Sequence, residues 1–243
     1  MIERSVEIPT PDGRADGFLY RPDDREHPGV IFLPDGIGLR LSQQEMARRV
    51  AAEGYIVLLP NMFYRSGRPP FLPPKPDFKD EKIVARFREL TSALPPDAMH
   101  SDGSAYVDFL SAQPGVSKGP MAILGFCFTG QFALRVAAAR PDRIGVAASF
   151  HGGGLFKDDP ASPHLELPRV KARLYFGHAK EDRGMPAEAI AKFEQALAKW
   201  GGTYESETYN AHHGWTVPDS AAYDKPEAER AFAKLRETLL ALA

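Results

Sequence analysis

Residues Met121–Ala139, MAILGFCFTGQFALRVAAA, constrain this chain more than any other stretch. A short apolar run meets a glycine, the only cysteine and a second glycine, then turns amphipathic, which predicts strand, tight turn and helix. Cys127 falls at the turn. A side chain there projects from the sheet edge with the N-terminus of the following helix beneath it. The free N–H groups and partial positive charge of that helix end suit a thiolate or an oxyanion. Gly125 permits a crowded approach before the bend, and Gly130 lets the helix pack close to the strand. Thr129 occupies a position where such turns usually carry glycine. Without these flanks, a lone cysteine reads as a small buried hydrophobe.

At 243 residues, with no periodic self-similarity, the chain is long enough for one domain with a large core. Its 30 basic and 32 acidic residues are interspersed and sum to −2, leaving no basic stripe for nucleic acid and no acidic tail, so a small-molecule partner is expected. The opening MIERSVEIPTPDGR has no apolar signal core, and no uninterrupted apolar run reaches membrane-spanning length. The expectation is a cytoplasmic protein with no membrane partner. A single cysteine excludes an internal disulfide and a thiolate-rich zinc site.

Taken in order, Ser5–Ile8 and Gly17–Arg21 alternate about Pro11-Asp12-Gly13 and predict an antiparallel hairpin at a sheet edge. Gly29–Leu33 reads as a strand buried on both faces, followed by Pro34-Asp35-Gly36-Ile37-Gly38. A helix over Gln44–Glu53 and a strand over Tyr55–Leu59 complete a right-handed βαβ unit. Residues 61–100 hold seven of the 22 prolines around a helix predicted over Phe78–Leu90. This excursion is expected to lie outside the core and to cover the active site. A helix over Gly103–Ser111 precedes the cysteine turn. Strands follow over Ile144–Phe150, Ala172–Phe176 and Thr203–Tyr209, alternating with helices over Pro186–Trp200 and Pro226–Leu242. The fold class is α/β: a mostly parallel twisted sheet with helices on both faces and an antiparallel N-terminal edge.

In such a sheet, residues just beyond the carboxyl ends of the strands converge on one crevice. Cys127, Asp182, a histidine of the His212-His213 pair and Asp35 all hold such positions. The chain order is nucleophile, acid, histidine, as in α/β-hydrolases: an imidazole activates the nucleophile while a carboxylate fixes its tautomer. On the residues alone, Asp182 could be a turn former, and either His212 or His213 could be the base. His151, His178 and the His212-His213 pair could also form a metal site.

The segments GVIFLPDGIGL, EGYIVLLPNMF, AILGFCFTGQFAL, SFHGG, YFGHAKEDRGMP and AHHGW carry a resemblance, over almost the whole chain, to the dienelactone hydrolase family of α/β-hydrolases, carboxymethylenebutenolidase-like enzymes with a cysteine nucleophile. The resemblance implies that Cys127 is the nucleophile, Asp182 the triad acid and His213 the base. It implies an oxyanion hole from the backbone N–H groups of Gly36 and Phe128. The family also carries an acidic residue, usually glutamate, that pairs with the resting thiol. Asp35 falls there, one methylene shorter. A family arginine for the substrate carboxylate corresponds here to Val217, with Arg65 or Arg68 as replacements.

The expectation is therefore a single-domain hydrolase, residues 1–243, that cleaves an ester, lactone or thioester of a small molecule through an acyl-enzyme and uses no cofactor and no metal. The alternative is a non-catalytic or redox-sensing relative with a reactive thiol. His151 and Trp215 are further candidates for lining the substrate site. The sequence leaves the physiological substrate open, and with it the choice between monomer and small homo-oligomer.

Overall fold

In the computed structural model, which describes residues 1–73 and 75–242, eight strands form one sheet. Pro74 of the proline-rich excursion and Ala243 lie outside the described residues. β1 (Ile2–Thr10) and β2 (Gly13–Arg21) make the antiparallel edge, and β2 pairs antiparallel with β4 (Ile56–Pro60). β3 (Gly29–Phe32), β5 (Met121–Phe126), β6 (Ile144–Phe150), β7 (Arg173–Ala179) and β8 (Tyr204–Tyr209) continue in parallel, giving the order β1-β2-β4-β3-β5-β6-β7-β8. From β3 the chain turns first to β4 on one side and then to β5 on the other. That reversal opens a crevice beyond the carboxyl ends of β3 and β5, the place where open α/β sheets bind ligands.

Alternation along the central strands divides the core in two. Ile31, Ile123, Ala147, Leu174 and Phe176 face the side covered by α3 (Pro96–Ser111), α4 (Thr129–Ala139) and α5 (Ala187–Trp200). Phe32, Leu124, Phe126, Phe150 and Tyr175 face α1 (Leu41–Ala52) and α6 (Lys225–Leu239). Because both faces are covered, the central strands read as continuous apolar runs.

The excursion departs from its expected place outside the core. Met62, Phe63, Leu72, Leu90, Leu94 and Met99 are all buried. Prolines fix the backbone between these residues without preventing their side chains from packing inward. α2 spans Glu81–Ser92, capped by Asp80 accepting the Lys82 N–H. α3 starts seven residues before its predicted start at Gly103, because Pro96 sits in the first turn, where a missing N–H costs nothing. β7 runs on to Ala179, so His178 belongs to a strand. No helix among the described residues is long and apolar enough to cross a membrane.

Candidate active site

Cys127 follows β5 directly, with φ +57°, a left-handed conformation that a non-glycine residue holds only when its surroundings enforce it. Its N–H is shared between Phe150 O at 3.1 Å and His151 Nδ1 at 3.0 Å, while its carbonyl accepts from Gly130 N at 3.1 Å and Gly153 N at 3.2 Å. The bend needs both flanking glycines. A Cβ on Gly125 would stand 2.2 Å from Thr129 O, and one on Gly130 would stand 2.2 Å from Ser149 Oγ. Thr129, unremarked beyond its departure from glycine, braces the turn: its buried Oγ1 accepts Phe126 N–H at 2.9 Å and lies 2.9 Å from Phe126 O.

Of the two neighbouring histidines, His213 faces the thiol and His212 is exposed. Asp182 lies in the loop after β7, its Oδ1 accepting Gly184 N–H at 2.7 Å and its Oδ2 standing 2.6 Å from His213 Nδ1. This pair puts Nδ1–H on the carboxylate and leaves Nε2 for Cys127. Burial opposes a charge on His213, but the Cys127 sulfur and the Asp182 carboxylate outweigh it and hold the imidazolium well above its ordinary range.

His151 sits behind the nucleophile. It is buried at φ +41°, with Nδ1 accepting from Cys127 N–H and Nε2 2.8 Å from Thr216 Oγ1, so the ring donates from Nε2. Burial, with His213 nearby, drives its pKa well below the ordinary histidine range and keeps it neutral. Trp215 packs edge-on against His151 at 5.0 Å and stacks on Tyr209 at 4.7 Å, fully buried. Both residues, expected to line the substrate site, instead form the support beneath the cysteine turn. His178 is buried on β7 against Phe193, 3.2 Å from Ser206 Oγ, and burial holds its pKa down to about 4. Among the described residues, no three His, Cys, Asp or Glu side chains gather as a metal-ligating group.

Asp35, expected at the thiol, is engaged elsewhere. Arg40 takes both carboxylate oxygens at 2.7 and 2.8 Å, Gln43 Nε2 adds a bond at 3.2 Å and Ile37 N–H another at 2.9 Å. The same guanidinium reaches Asp219, in the loop after His213, at 2.8 and 2.9 Å. A bidentate guanidinium satisfies a buried carboxylate more completely than a thiol could. Arg40, unsuspected from sequence because no motif marks it, thus ties the loop after β3 to the loop after β8. The Asp35 carboxylate also fixes the bend that presents Gly36, since it accepts the Ile37 N–H and Asp35 O accepts Gly38 N–H at 2.9 Å.

Gly36 and Phe128 stand side by side: a Cβ on Gly36 would lie 3.3 Å from Phe128 Cβ and 2.6 Å from the Phe87 ring. Among the described residues, no internal acceptor takes either N–H. Phe87 comes from α2, making edge-to-face contacts with Phe128 at 6.5 Å and Phe78 at 5.4 Å, so the excursion supplies an aromatic wall beside the cysteine turn. Arg65, offered for a substrate carboxylate, is instead spent on Asp102, a fully buried α3 carboxylate, with bonds at 2.6 and 3.0 Å, and on Asp12. Arg68 is exposed, without a side-chain partner among the described residues.

A sequence model described as "Dienelactone hydrolase family" matches residues 15–242. A carboxymethylenebutenolidase of Rhodococcus opacus is 28% identical over 205 residues, covering 80% of this chain and 76% of its own. A Synechocystis relative that carries the same name provisionally is 27% identical over 237 residues, covering 96% and 94%. Among solved structures, a dienelactone hydrolase-like promiscuous phosphotriesterase from metagenomic libraries superposes with a TM-score of 0.80 at 22% identity, covering 99% of this chain and 98% of the other. At that identity the match speaks for the fold.

Proposed function

Because the chain belongs to the dienelactone hydrolase family, we propose that it hydrolyses an ester, lactone or thioester of a small molecule through a Cys127-His213-Asp182 triad. The observation that carries this reading is the 2.6 Å His213–Asp182 pair facing a cysteine held at φ +57°. The Cys127 thiolate attacks the carbonyl carbon, and the resulting oxyanion accepts from the free N–H groups of Gly36 and Phe128. As the tetrahedral intermediate collapses, the bond to the leaving oxygen or sulfur breaks and His213 Nε2 supplies its proton. Water then enters, gives a proton to His213, and its oxygen attacks the thioester carbonyl. Collapse releases the acid and returns the thiolate beside the imidazolium. Asp182 holds the ring in one tautomer through both steps.

Phe87, Phe128 and Phe78 favour an apolar substituent next to the scissile bond. With Arg65 bound to Asp102 and the family arginine replaced by the buried Val217, the site supports a substrate with no carboxylate to be held there. Intact-protein mass spectrometry after brief exposure to p-nitrophenyl acetate tests the mechanism. The expected result is an acetyl adduct on the native chain, none on Cys127→Ala, and nitrophenol released in excess of enzyme. A native chain that takes no adduct and turns over none of a panel of esters, lactones and thioesters would overturn the reading in favour of a non-catalytic thiol.

A further inference from the structure

The sheet face opposite α4 carries a feature the hydrolytic reading does not use. Between α1 and α6 lies a cavity of about 160 Å³. Its floor is three phenylalanines from the ends of neighbouring strands, Phe32, Phe126 and Phe150, with successive ring centroids 4.8 and 5.4 Å apart. Val50 of α1 and Ala228 and Ala231 of α6 form its sides. The small alanines leave the gap open where larger residues would bring the helices together.

The rim offers no free cation. Arg49 is engaged with Glu229, with one bond at 2.9 Å, and its guanidinium lies 3.7 Å from the centre of the Phe232 ring. Of the other polar groups in the lining, Thr216 Oγ1 already accepts from His151, while the Glu45 carboxylate and the Tyr223 hydroxyl belong to exposed residues. An anionic ligand would meet the Glu45 carboxylate and no free cation, and a strongly polar one would leave hydrogen bonds unmet against the phenylalanine floor. By contrast, an enclosed cavity of roughly 150 Å³ lined by aliphatic and aromatic side chains takes up benzene, and this one offers a comparable volume and apolar floor with a mouth open to solvent at Glu45, Arg49 and Tyr223. Size, lining and rim therefore select one ring-sized, neutral aromatic molecule.

The lining also touches the nucleophile's backbone three times. Phe126 immediately precedes Cys127, Phe150 O accepts the Cys127 N–H at 3.1 Å, and Thr216 holds the His151 ring whose Nδ1 accepts the same N–H at 3.0 Å. We propose that the cavity between α1 and α6 is a second binding site, for a compact neutral aromatic molecule, and that its occupant alters the reactivity of Cys127 through Phe126, Phe150 and the Thr216-His151 link. The inference concerns the thiol itself and holds whether or not Cys127 hydrolyses esters.

Thermal melts and iodoacetamide alkylation, each with and without benzene near saturation, test both halves. Benzene is expected to raise the melting temperature by about 2–4 °C in the native chain and equally after Cys127 has been carbamidomethylated. Ala231→Leu and Ala228→Leu fill the cavity from two positions. Melts without ligand show which of them folds, and the shift is expected to vanish in each folded variant. Benzene should also change the Cys127 alkylation rate by roughly fivefold or more in the native chain. Thr216→Val should keep the thermal shift and lose most of that rate change. A native chain without a thermal shift would overturn the site. So would a shift that survives in the filled variants or disappears on carbamidomethylation, since benzene would then sit elsewhere or at the thiol. Equal alkylation rates with and without benzene would overturn the coupling.

Discussion

Two aspartates stand at strand ends on either side of Cys127 with nearly the same burial, Asp182 at 6% exposed and Asp35 at 5%. Each accepts a backbone N–H from a residue two positions on in its own loop, Gly184 at 2.7 Å and Ile37 at 2.9 Å. They differ in the cation that completes them. Asp182 meets an imidazole that can exchange its proton with the thiol, whereas Asp35 meets a guanidinium that cannot release one. Burial and loop geometry make a carboxylate available for chemistry. The partner decides whether it takes part or holds the scaffold.

Asp182→Asn is the strongest way to break that contrast. It keeps the shape of the side chain and removes the charge that orients His213, so kcat for p-nitrophenyl acetate should fall by about 10⁴-fold while the melting temperature changes little. Steady-state turnover beside a thermal melt checks both halves. Turnover within tenfold of the native chain would remove Asp182 from the triad.

Acid should strain the β7 side of the contrast. His178 precedes Asp182 in the chain, and burial holds it neutral down to about 4, against an ordinary value near 6.5. Its folded-state pKa is depressed, so the unfolded chain binds the extra proton and stability is lost as pH falls from about 6.5 toward 4. The full shift corresponds to about 3 kcal/mol. His178→Gln should flatten the dependence of denaturation midpoint on pH across that window, and a slope equal to the native one would show that His178 does not set it. His213 works in the opposite sense: its raised pKa contributes fully below 6.5 and is lost only as pH rises through the folded-state value.

Asp35→Asn probes the other loop. It leaves Arg40 with Asp219 as its one carboxylate, on a side chain only one-fifth exposed, and should cost about 2 kcal/mol of stability. The consequence for catalysis is smaller, less than about tenfold in kcat, because it acts through the bend that presents the Gly36 N–H. The pH profile of Cys127 alkylation should be unchanged. A displaced profile would mean that the carboxylate does reach the thiol and that the two aspartates share the chemistry.

The sequence made the frame legible because strands buried on both faces, such as Met121–Phe126, leave unbroken apolar runs, and because glycines punctuate the cysteine turn at the points where a Cβ would collide. Chain order placed Cys127, Asp182 and His213 beyond the carboxyl ends of β5, β7 and β8. What stayed hidden depends on side-chain pairing across long separations: Arg40 meets Asp219 from 179 residues away, and no local spacing announces it. Arg65 looked available for a ligand because the buried carboxylate it serves, Asp102, lies on a helix whose start was obscured by Pro95 and Pro96. Trp215 and His151 have the residue types of a binding site. Their burial, which only packing reveals, makes them its foundation.

Asp219 offers the mildest way to sharpen the contrast. It shares Arg40 with Asp35, but its side chain is 42% exposed, so water replaces much of what it supplies. Asp219→Asn should lower stability by only about 0.5–1 kcal/mol, against about 2 kcal/mol for Asp35→Asn. Because Arg40 joins the two carboxylates, the double variant leaves a mostly buried guanidinium with no carboxylate and should cost more than the sum of the singles, and a double-mutant cycle by chemical denaturation measures the difference. Strict additivity would mean that Arg40 serves the two loops independently, and that the loop carrying His213 is not tied through it to the loop carrying Gly36.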